Sequence, residues 1–492
     1  MSRINTNVQS LIGQRTLGLQ NMSLAKSIER LSTGLRINRG SDDPAGLIAS
    51  ENLRSEKKAI TAAIGNAERA DQIMNVAEGG LQEVSNLLVE LQGLVAASAN
   101  DAGLSQEEKE ANQLQIDSIL QTIDRIANST EFQGVKLLNG NFDFTTSGVN
   151  STLLSDVTVN SAKLPTSSGS YISVSVDVLT SAQTAGLYLS TGTNFDTSGQ
   201  SFTIEVAGNL GTQQFTFASG TSQADMITAI NQFKDVTGVS AAQNGTSAAL
   251  IEMRSTEFGA KQFVSVKKLD GSDDLTNIIY DALGGTGSND DKDTGRDATL
   301  LINGTQATTD GLKARVSSDG FDVSVTIDGT SAVNTTNGNT SFDITGGGAT
   351  FNLSPNVNLA GKASIGIEQV TTGNLGDSVD GFLSALKSGG TANVSTADGD
   401  IDKAQRIVDS AIKQVSSLRG RIGAFQSNVV GATIRSLGVT FENTAAAESQ
   451  IRDTDFAAET ADLTRSQILV QSATSVLAIS NSQPQNVLSL LG

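Results

Sequence analysis

The sequence predicts an α+β multidomain protein: a long α-helical coiled coil or bundle built from the N- and C-terminal segments, with a central β-rich inserted domain. Two observations carry this. Near both ends, apolar residues recur at alternating spacings of three and four, as on a helix with one buried seam. Between 141 and 399 the chain is rich in Gly, Ser, Thr, Asn and Asp, and apolar residues alternate singly, as on strands with one buried face. The 492 residues, 38% of them hydrophobic, suffice for more than one core, about three domains by length.

The first helical part covers 44–129. Ile60, Ala63, Ala67, Ala70, Met74, Ala77, Leu81, Val84, Leu88, Leu91 and Val95 form one unbroken seam, about 54 Å long at helical rise. Its start is written in SDDPAGL, where Asp43 can cap and Pro44 can take the first helical position without losing a hydrogen bond. A shorter companion over 102–128 puts Ile116, Leu120, Ile123 and Ala127 on one face. Far along the chain, in 400–443, Ile401, Ala404, Val408, Ala411, Val415, Leu418, Ile422, Phe425 and Val429 repeat the pattern, so these segments are expected to pack as a bundle.

The ends beyond the bundle differ. Residues 1–40 hold Arg3, Arg15, Lys26, Arg30, Arg36 and Arg39 against Glu29 alone, whereas 448–465 hold Glu448, Asp453, Asp455, Glu459 and Asp462 against Arg452 and Arg465. Each end also has an apolar stripe: Ile4, Val8 and Leu11, then Leu24, Ile28, Leu31 and Leu35 in the first; Leu463, Val470 and Leu477 in the second. Complementary charge and matching stripes predict two arms paired as antiparallel helices. The tail SQILVQSATSVLAISNSQPQNVLSLLG carries no charge. Its apolar runs are broken by Gln467, Gln471, Ser472, Asn481, Ser482, Gln483 and Pro484, so protein rather than bilayer is expected to cover it. The N-terminus contains no continuous apolar run of secretory-signal length, so no cleaved signal peptide is expected. A basic, Ser-containing N-terminal arm could be an organelle transit peptide or bind nucleic acid, but its helical periodicity and its acidic counterpart favour pairing within the protein.

In the middle, YISVSVDVL alternates Ile172, Val174, Val176 and Val178 with polar residues, and FDVSVTIDG (321–329) does likewise. SFTIEVA and TQQFTF, joined by GNLG, read as a hairpin followed by a short helix over 224–233. The predicted layout is an arm (1–43), half of a bundle domain with a β-hairpin region (44–175), an exposed β-rich insertion (176–345), the other half of the bundle domain (346–443) and a second arm (444–492).

Composition removes most chemistry. The chain has no Cys and no His, which excludes disulfides, thiolate and imidazole catalysis, and Cys- or His-ligated zinc. NDDKDTGRDATL (289–300) spaces Asn289, Asp291 and Asp293 like a calcium loop, but has Thr294 and Leu300 where Gly and Glu are needed, so it reads as a solvated turn. GGTGSN and GNLG lack the rest of any phosphate-binding fingerprint. Asn-x-Ser/Thr triplets at Asn150, Asn244 and Asn303 are expected by chance in so polar a region. No catalytic, cofactor or metal residues are assigned, and no enzyme is expected.

LSTGLRINRGSDDPAGLIAS (31–50), FQGVKLLNG (132–140) and QPQNVLSLLG (483–492) resemble the hallmark segments of bacterial flagellin, in the expected order. The resemblance covers roughly 1–140 and 400–492. It implies arms that line the core of an extracellular flagellar filament, a shell of long helices around them and an insertion facing the medium. The core interface would then hold Ile4, Val8, Leu11, Leu24, Ile28, Leu31, Leu35, Leu463, Val470, Val476, Leu477, Leu488 and Leu491. It also implies partners: other copies of the chain, the flagellar export apparatus, an export chaperone, the filament cap and the hook–filament junction proteins. A hook-associated junction protein, or a filament subunit with an adhesive insertion, would share the same arms. The family's innate immune receptor contact falls on Glu90, Gln92, Gly93, Leu94 and Gln115. A Glu where receptor-activating members carry a basic residue reverses the local charge and disfavours recognition.

Overall fold

The computed structural model describes residues 6–100, 103–164, 171–190, 201–218, 220–243, 250–269, 279–281, 291–329, 339–395 and 400–488. They divide into two compact units, one drawn from 1–69, 352–361 and 429–492, the other from 70–351 and 362–428.

The first unit is helical. Helix α1 (Val8–Thr33) starts where the Asn7 side chain accepts the Ser10 N–H, and stops at Gly34, whose φ of 71° allows its N–H to reach the Arg30 carbonyl. Helix α2 (Pro44–Ser98) begins as the sequence predicts: the Asp43 carboxylate accepts the Gly46 N–H at 2.9 Å, with Pro44 first in the helix. Ile60 and Ala63 at its N-terminal end share a core with Leu437 of a later helix (Gly431–Arg452). Lys57 bonds Glu448 at 2.5 Å and Arg452 bonds Glu51 at 3.0 Å on the same helix pair.

In the second unit, α2 continues beside α3 (Gln106–Ser129). The latter begins four residues later than predicted because Ser105 and Glu108 form a capping box, each side chain bonded to the other's backbone N–H. Two short helices follow in the β region, α4 (Gln223–Gln232) and α5 (Lys234–Thr237), and the bundle resumes with α6 (Ile401–Ala424). The α2 seam from Ile60 to Val95 is buried at every predicted position, as are Ile116, Leu120, Ile123 and Ala127 of α3. On α6 the seam holds from Ala404 to Ile422 and on to Phe425, but then moves from the predicted Val429 to Val430. A π-helical turn over Phe425–Val430 inserts one residue and rotates the face. The helix Gly431–Arg452 is α7, and the last, Phe456–Leu488, is α8.

Gln113 of α3 is buried and fully used: its amide donates to the Leu386 carbonyl at 2.8 Å and to Asp117 at 3.0 Å, and accepts the Val394 N–H at 3.0 Å. One side chain thus satisfies the backbone of an otherwise irregular segment against the helices.

The β region contains two cores. In the inner one, a five-stranded sheet (Thr305–Gln306, Thr299–Ile302, Ile172–Thr180, Asn339–Gly347, Phe144–Ser147) shares its interior with a four-stranded sheet (Thr308–Asp310, Lys313–Ser318, Phe321–Ile327, Leu154–Ala162). Val174, Val176, Leu300, Val323, Val325 and Phe342 fill it. The boundaries expected at 175/176 and 345/346 both fall inside strands, and those strands pair directly, Ser175 opposite Ser341. Composition shifts gradually along this polar region, whereas hydrogen bonding ties its first and last strands into one sheet.

The outer core combines two four-stranded sheets, and Leu187, Ile204, Val206, Ile251, Met253 and Val266 pack with Met226 and Ile230 of α4. The predicted hairpin is present, running from Phe202 opposite Phe217 to Ala207 opposite Thr212.

Asp143 enters the inner sheet and accepts the Phe144 N–H at 2.8 Å. Burial pushes its carboxyl up to about 6 against that hydrogen bond; Glu368 and Asp156 add to the rise, and Arg421, paired with Glu368 at 2.8 Å, opposes it. The folded state therefore holds this proton more tightly than the unfolded one, so the ionised group costs stability above pH 6, and that cost is relieved as pH falls toward 4. Asp143→Asn is expected to raise the melting temperature at pH 7.5 and to converge on the parent near pH 4, as read by calorimetry across that range.

The paired terminal arms as candidate functional site

Helices α1 and α8 pair antiparallel along most of their length. The Asn7 amide donates to the Ser480 carbonyl at 2.8 Å, the Ser10 hydroxyl to Asn481 at 2.7 Å, and Ser23 meets Ser466 at 3.4 Å. Arg30 bonds Glu459 at 3.4 Å. The fully buried positions of the seam are small or polar: Ser10, Gly13 and Ser27 on α1, and Glu459, Ser466 and Ser480 on α8. At Gly13 the fit is close, since an added Cβ would lie 3.2 Å from a Leu477 methyl.

This seam sorts the predicted stripe residues. Leu24, Leu31, Leu463, Val470 and Leu477 lie along it, half-buried. Val8, Leu11, Ile28 and Val476 point away from the partner arm, each more than half exposed. Leu35 is beyond the helix, in a single β-bridge with Asp453. Ile4 and Leu491 lie outside the described residues, and Leu488 ends α8 with its side chain undescribed. The pairing face follows 10, 13, 17, 20, 24, 27 and 31, one residue out of phase with the apolar stripe at Leu11 and Ile28. Leu17, Leu24 and Leu31, seven apart, lie half-buried on this face alongside Ser10, Gly13 and Ser27; the small residues allow the helix axes to approach, and a search for large apolar residues passes over them.

The charge complementarity is also narrower than the sequence implied. Among the described residues, Arg30–Glu459 is the ion pair that joins the two arms, while Lys26 bonds Asp42 at 3.0 Å, Arg39 bonds Glu29 at 3.1 Å and Arg36 lies 3.9 Å from Asp43. Asp42 and Asp43 sit just past the basic stretch, in the loop that folds back onto α1, and Glu29 lies on α1 itself. That loop is stitched to the α7–α8 turn: the Arg36 N–H donates to the Arg452 carbonyl at 2.7 Å and the Thr454 N–H to the Gly34 carbonyl at 2.9 Å.

The second unit holds the other assigned positions. Glu90, Gly93 and Gln115 are exposed on α2 and α3, while Gln92 and Leu94 are half-buried, and the Gln92 amide donates to Asp409 of α6 at 2.7 Å. Asn289 lies outside the described residues, and Asp293 accepts the Gly186 N–H at 2.7 Å, a structural role. Among the described residues no acidic cluster could hold a metal ion, and no helix is long and apolar enough to cross a membrane.

Two terminal helices that pair with each other, turn large apolar side chains outward and flank an inserted β region define a self-associating structural subunit. The model of the bacterial flagellin N-terminal helical region matches residues 4–143, and that of the C-terminal helical region matches 405–491. Flagellin of Salmonella typhimurium (strain LT2) is 31% identical over 99% of both chains, and flagellin D of Vibrio cholerae 28% identical over 99% of both. Among solved structures, Xanthomonas campestris FlgL covers 79% of this chain and 98% of its own at 13% identity and a TM-score of 0.26. The D2–D3 domains of the Escherichia coli flagellar cap protein FliD cover 41% and 96% at 17% identity and a TM-score of 0.27. Both likenesses are too slight to bear on the arrangement of any element. The chain belongs to the bacterial flagellin family. It is a structural protein, a subunit of the extracellular flagellar filament, and not an enzyme.

Asp42 fixes the loop after α1, accepting from Lys26 and from the Arg39 and Asn38 N–H groups at 3.0 and 3.2 Å. The Lys26 bond, with these backbone bonds, holds its carboxyl at about 2. Its contribution is present above the usual carboxylate value and is lost as pH falls toward 2. Asp42→Asn is expected to lower the melting temperature at pH 7, with the difference from the parent vanishing near pH 2.

Proposed function

We propose that the arms divide their two faces between two tasks: a seam of buried small and polar residues with half-buried leucines pairs α1 with α8 inside one subunit, and the outward apolar faces join subunits in the filament core. The observation that carries this is the inversion of burial. Val8, Leu11, Ile12, Leu19, Met22 and Ile28 on α1, and Ile468, Leu469, Val476 and Ile479 on α8, are exposed, while serines and a glycine are buried between the helices. Such faces need covering, and a copy of the chain supplies a matching one. Ile4, Leu488 and Leu491 are assigned to the same surface. A charge in 466–492 would be repeated in every subunit around a crowded axis and would need a partner each time, which accounts for the bare tail.

The pairing itself is weak by construction. Arms of this length are marginal helices in water, and the seam leaves Leu24, Leu31, Leu463, Val470 and Leu477 only half-buried, so their order comes from neighbours in the polymer. This suits passage without a cleaved signal through the flagellum's own export apparatus, with a chaperone holding the C-terminal arm. Assembly would proceed beneath the filament cap and on the hook–filament junction proteins. The β region faces the medium. At Glu90 and Gln92 the altered charge, with Gln92 held by Asp409, disfavours the immune receptor.

Deleting 466–492 should leave a folded subunit that forms no filaments; filaments of normal length would refute the assignment. The double variant Leu11→Asp, Ile479→Asp separates the faces. Its circular dichroism should match the parent, while sedimentation shows loss of polymer. Normal polymerisation would place the subunit contacts elsewhere.

A further inference from the structure

The two β cores are joined by little chain. The backbone passes from the inner core to the outer at 181–185 and returns at 295–298, and two short linkers of this kind ordinarily make a hinge. We infer that no hinge exists: the cores are locked into one rigid body by the aromatic plug Phe258 and a knot of three glycines, Gly259, Gly295 and Gly311, tied by Asp297.

Phe258 belongs to the segment that follows outer-core strand Leu250–Ser255, yet its ring packs into the inner core beside Leu312. Directly after it, Gly259 meets Gly311 of the inner-core turn so closely that an added Cβ would lie 2.8 Å from the Gly311 Cα. A Cβ on Gly311 would lie 2.7 Å from the Phe258 carbonyl oxygen, and one on Gly295 would lie 2.4 Å from that of Gly259. Gly259 and Gly311 have φ of 122° and 61°, so glycine is favoured by conformation as well as by space. These backbones touch without side chains between them, and packed interiors leave such contacts no room to slide.

Asp297 closes the knot. Its Oδ1 accepts the Ala260 N–H at 2.9 Å and the Gly311 N–H at 2.8 Å, one from each core. The linkers pair with each other through Gln183 and Arg296, whose N–H and carbonyl groups exchange bonds of 2.8 and 3.0 Å. Lys261 and Asp310 add an exposed ion pair at 2.6 Å. A carboxylate holding two N–H groups is a strong tie, and this one spans the boundary. Whatever the outer core meets is therefore coupled mechanically to the inner core without slack.

Because the chain has no cysteine, spin labels can be placed cleanly on the full-length protein, at exposed Thr212 of the outer core and exposed Ser147 of the inner one, as Thr212→Cys and Ser147→Cys. Electron–electron resonance should give one narrow distance in the otherwise unaltered chain, broadened by Phe258→Ala with Gly311→Ala. A broad distribution in the unaltered chain, or a narrow one surviving in the folded double variant, overturns the inference. If that variant does not fold, Asp297→Ala decides, since it leaves both apolar cores intact. Broadening there supports the lock, and an unchanged narrow distance refutes it.

Discussion

A large apolar side chain on a helix must be covered, and in the arms of this subunit the partner helix does not cover it. Ser10, Gly13, Ser27, Ser466 and Ser480 occupy the intramolecular seam, so Leu11, Ile12, Ile28, Ile468 and Ile479 remain at the surface. Burial of such groups supplies most of the favourable free energy of association. In the function proposed above, this burial is left for neighbouring subunits.

The rest of the molecule spends its apolar residues in the ordinary way. The α2 seam is closed at every turn from Ile60 to Val95, and α6 contributes its own buried line from Ala404 to Ile422. Polar groups hold the irregular connections: Gln113 satisfies two backbone groups at once, and Asp124 accepts the Thr372 N–H and hydroxyl at 2.8 and 2.9 Å. In the β region both cores are lined by alternating Val, Ile and Leu, with Phe202, Phe215 and Phe217 clustered in the outer one. Between the two cores, Phe258 and the close backbone approach of Gly259 to Gly311 make the contact.

Much of the helical architecture was legible in the residues because a seam of large apolar side chains at three-four spacing has few alternative meanings. Val174 and Val176 of YISVSVDVL, and Val323 and Val325 of FDVSVTIDG, were equally plain, since strict alternation marks a strand with one buried face. The pairing of the arms was legible in part: Leu24, Leu31, Leu463, Val470 and Leu477 of the predicted stripes lie along the seam, whereas Val8, Leu11, Ile28 and Val476 face away from it, because small residues carry no hydropathy signal and yet set the closest approach of two helices.

By itself, the sequence determined the long helices, the strands at Ile172–Thr180, Phe202–Gly208, Thr212–Phe217 and Phe321–Ile327, where α2 begins at Asp43 and Pro44, and the absence of thiol and imidazole chemistry. These depend on local periodicity, on caps and on residue types. Tertiary structure alone decided which face of α1 meets α8, the rotation of the α6 seam at the π-turn, and the meeting of Asp297, Gly259 and Gly311. Each of these depends on the distance between backbones remote in sequence, and that distance is fixed by close packing rather than by any residue's own preference.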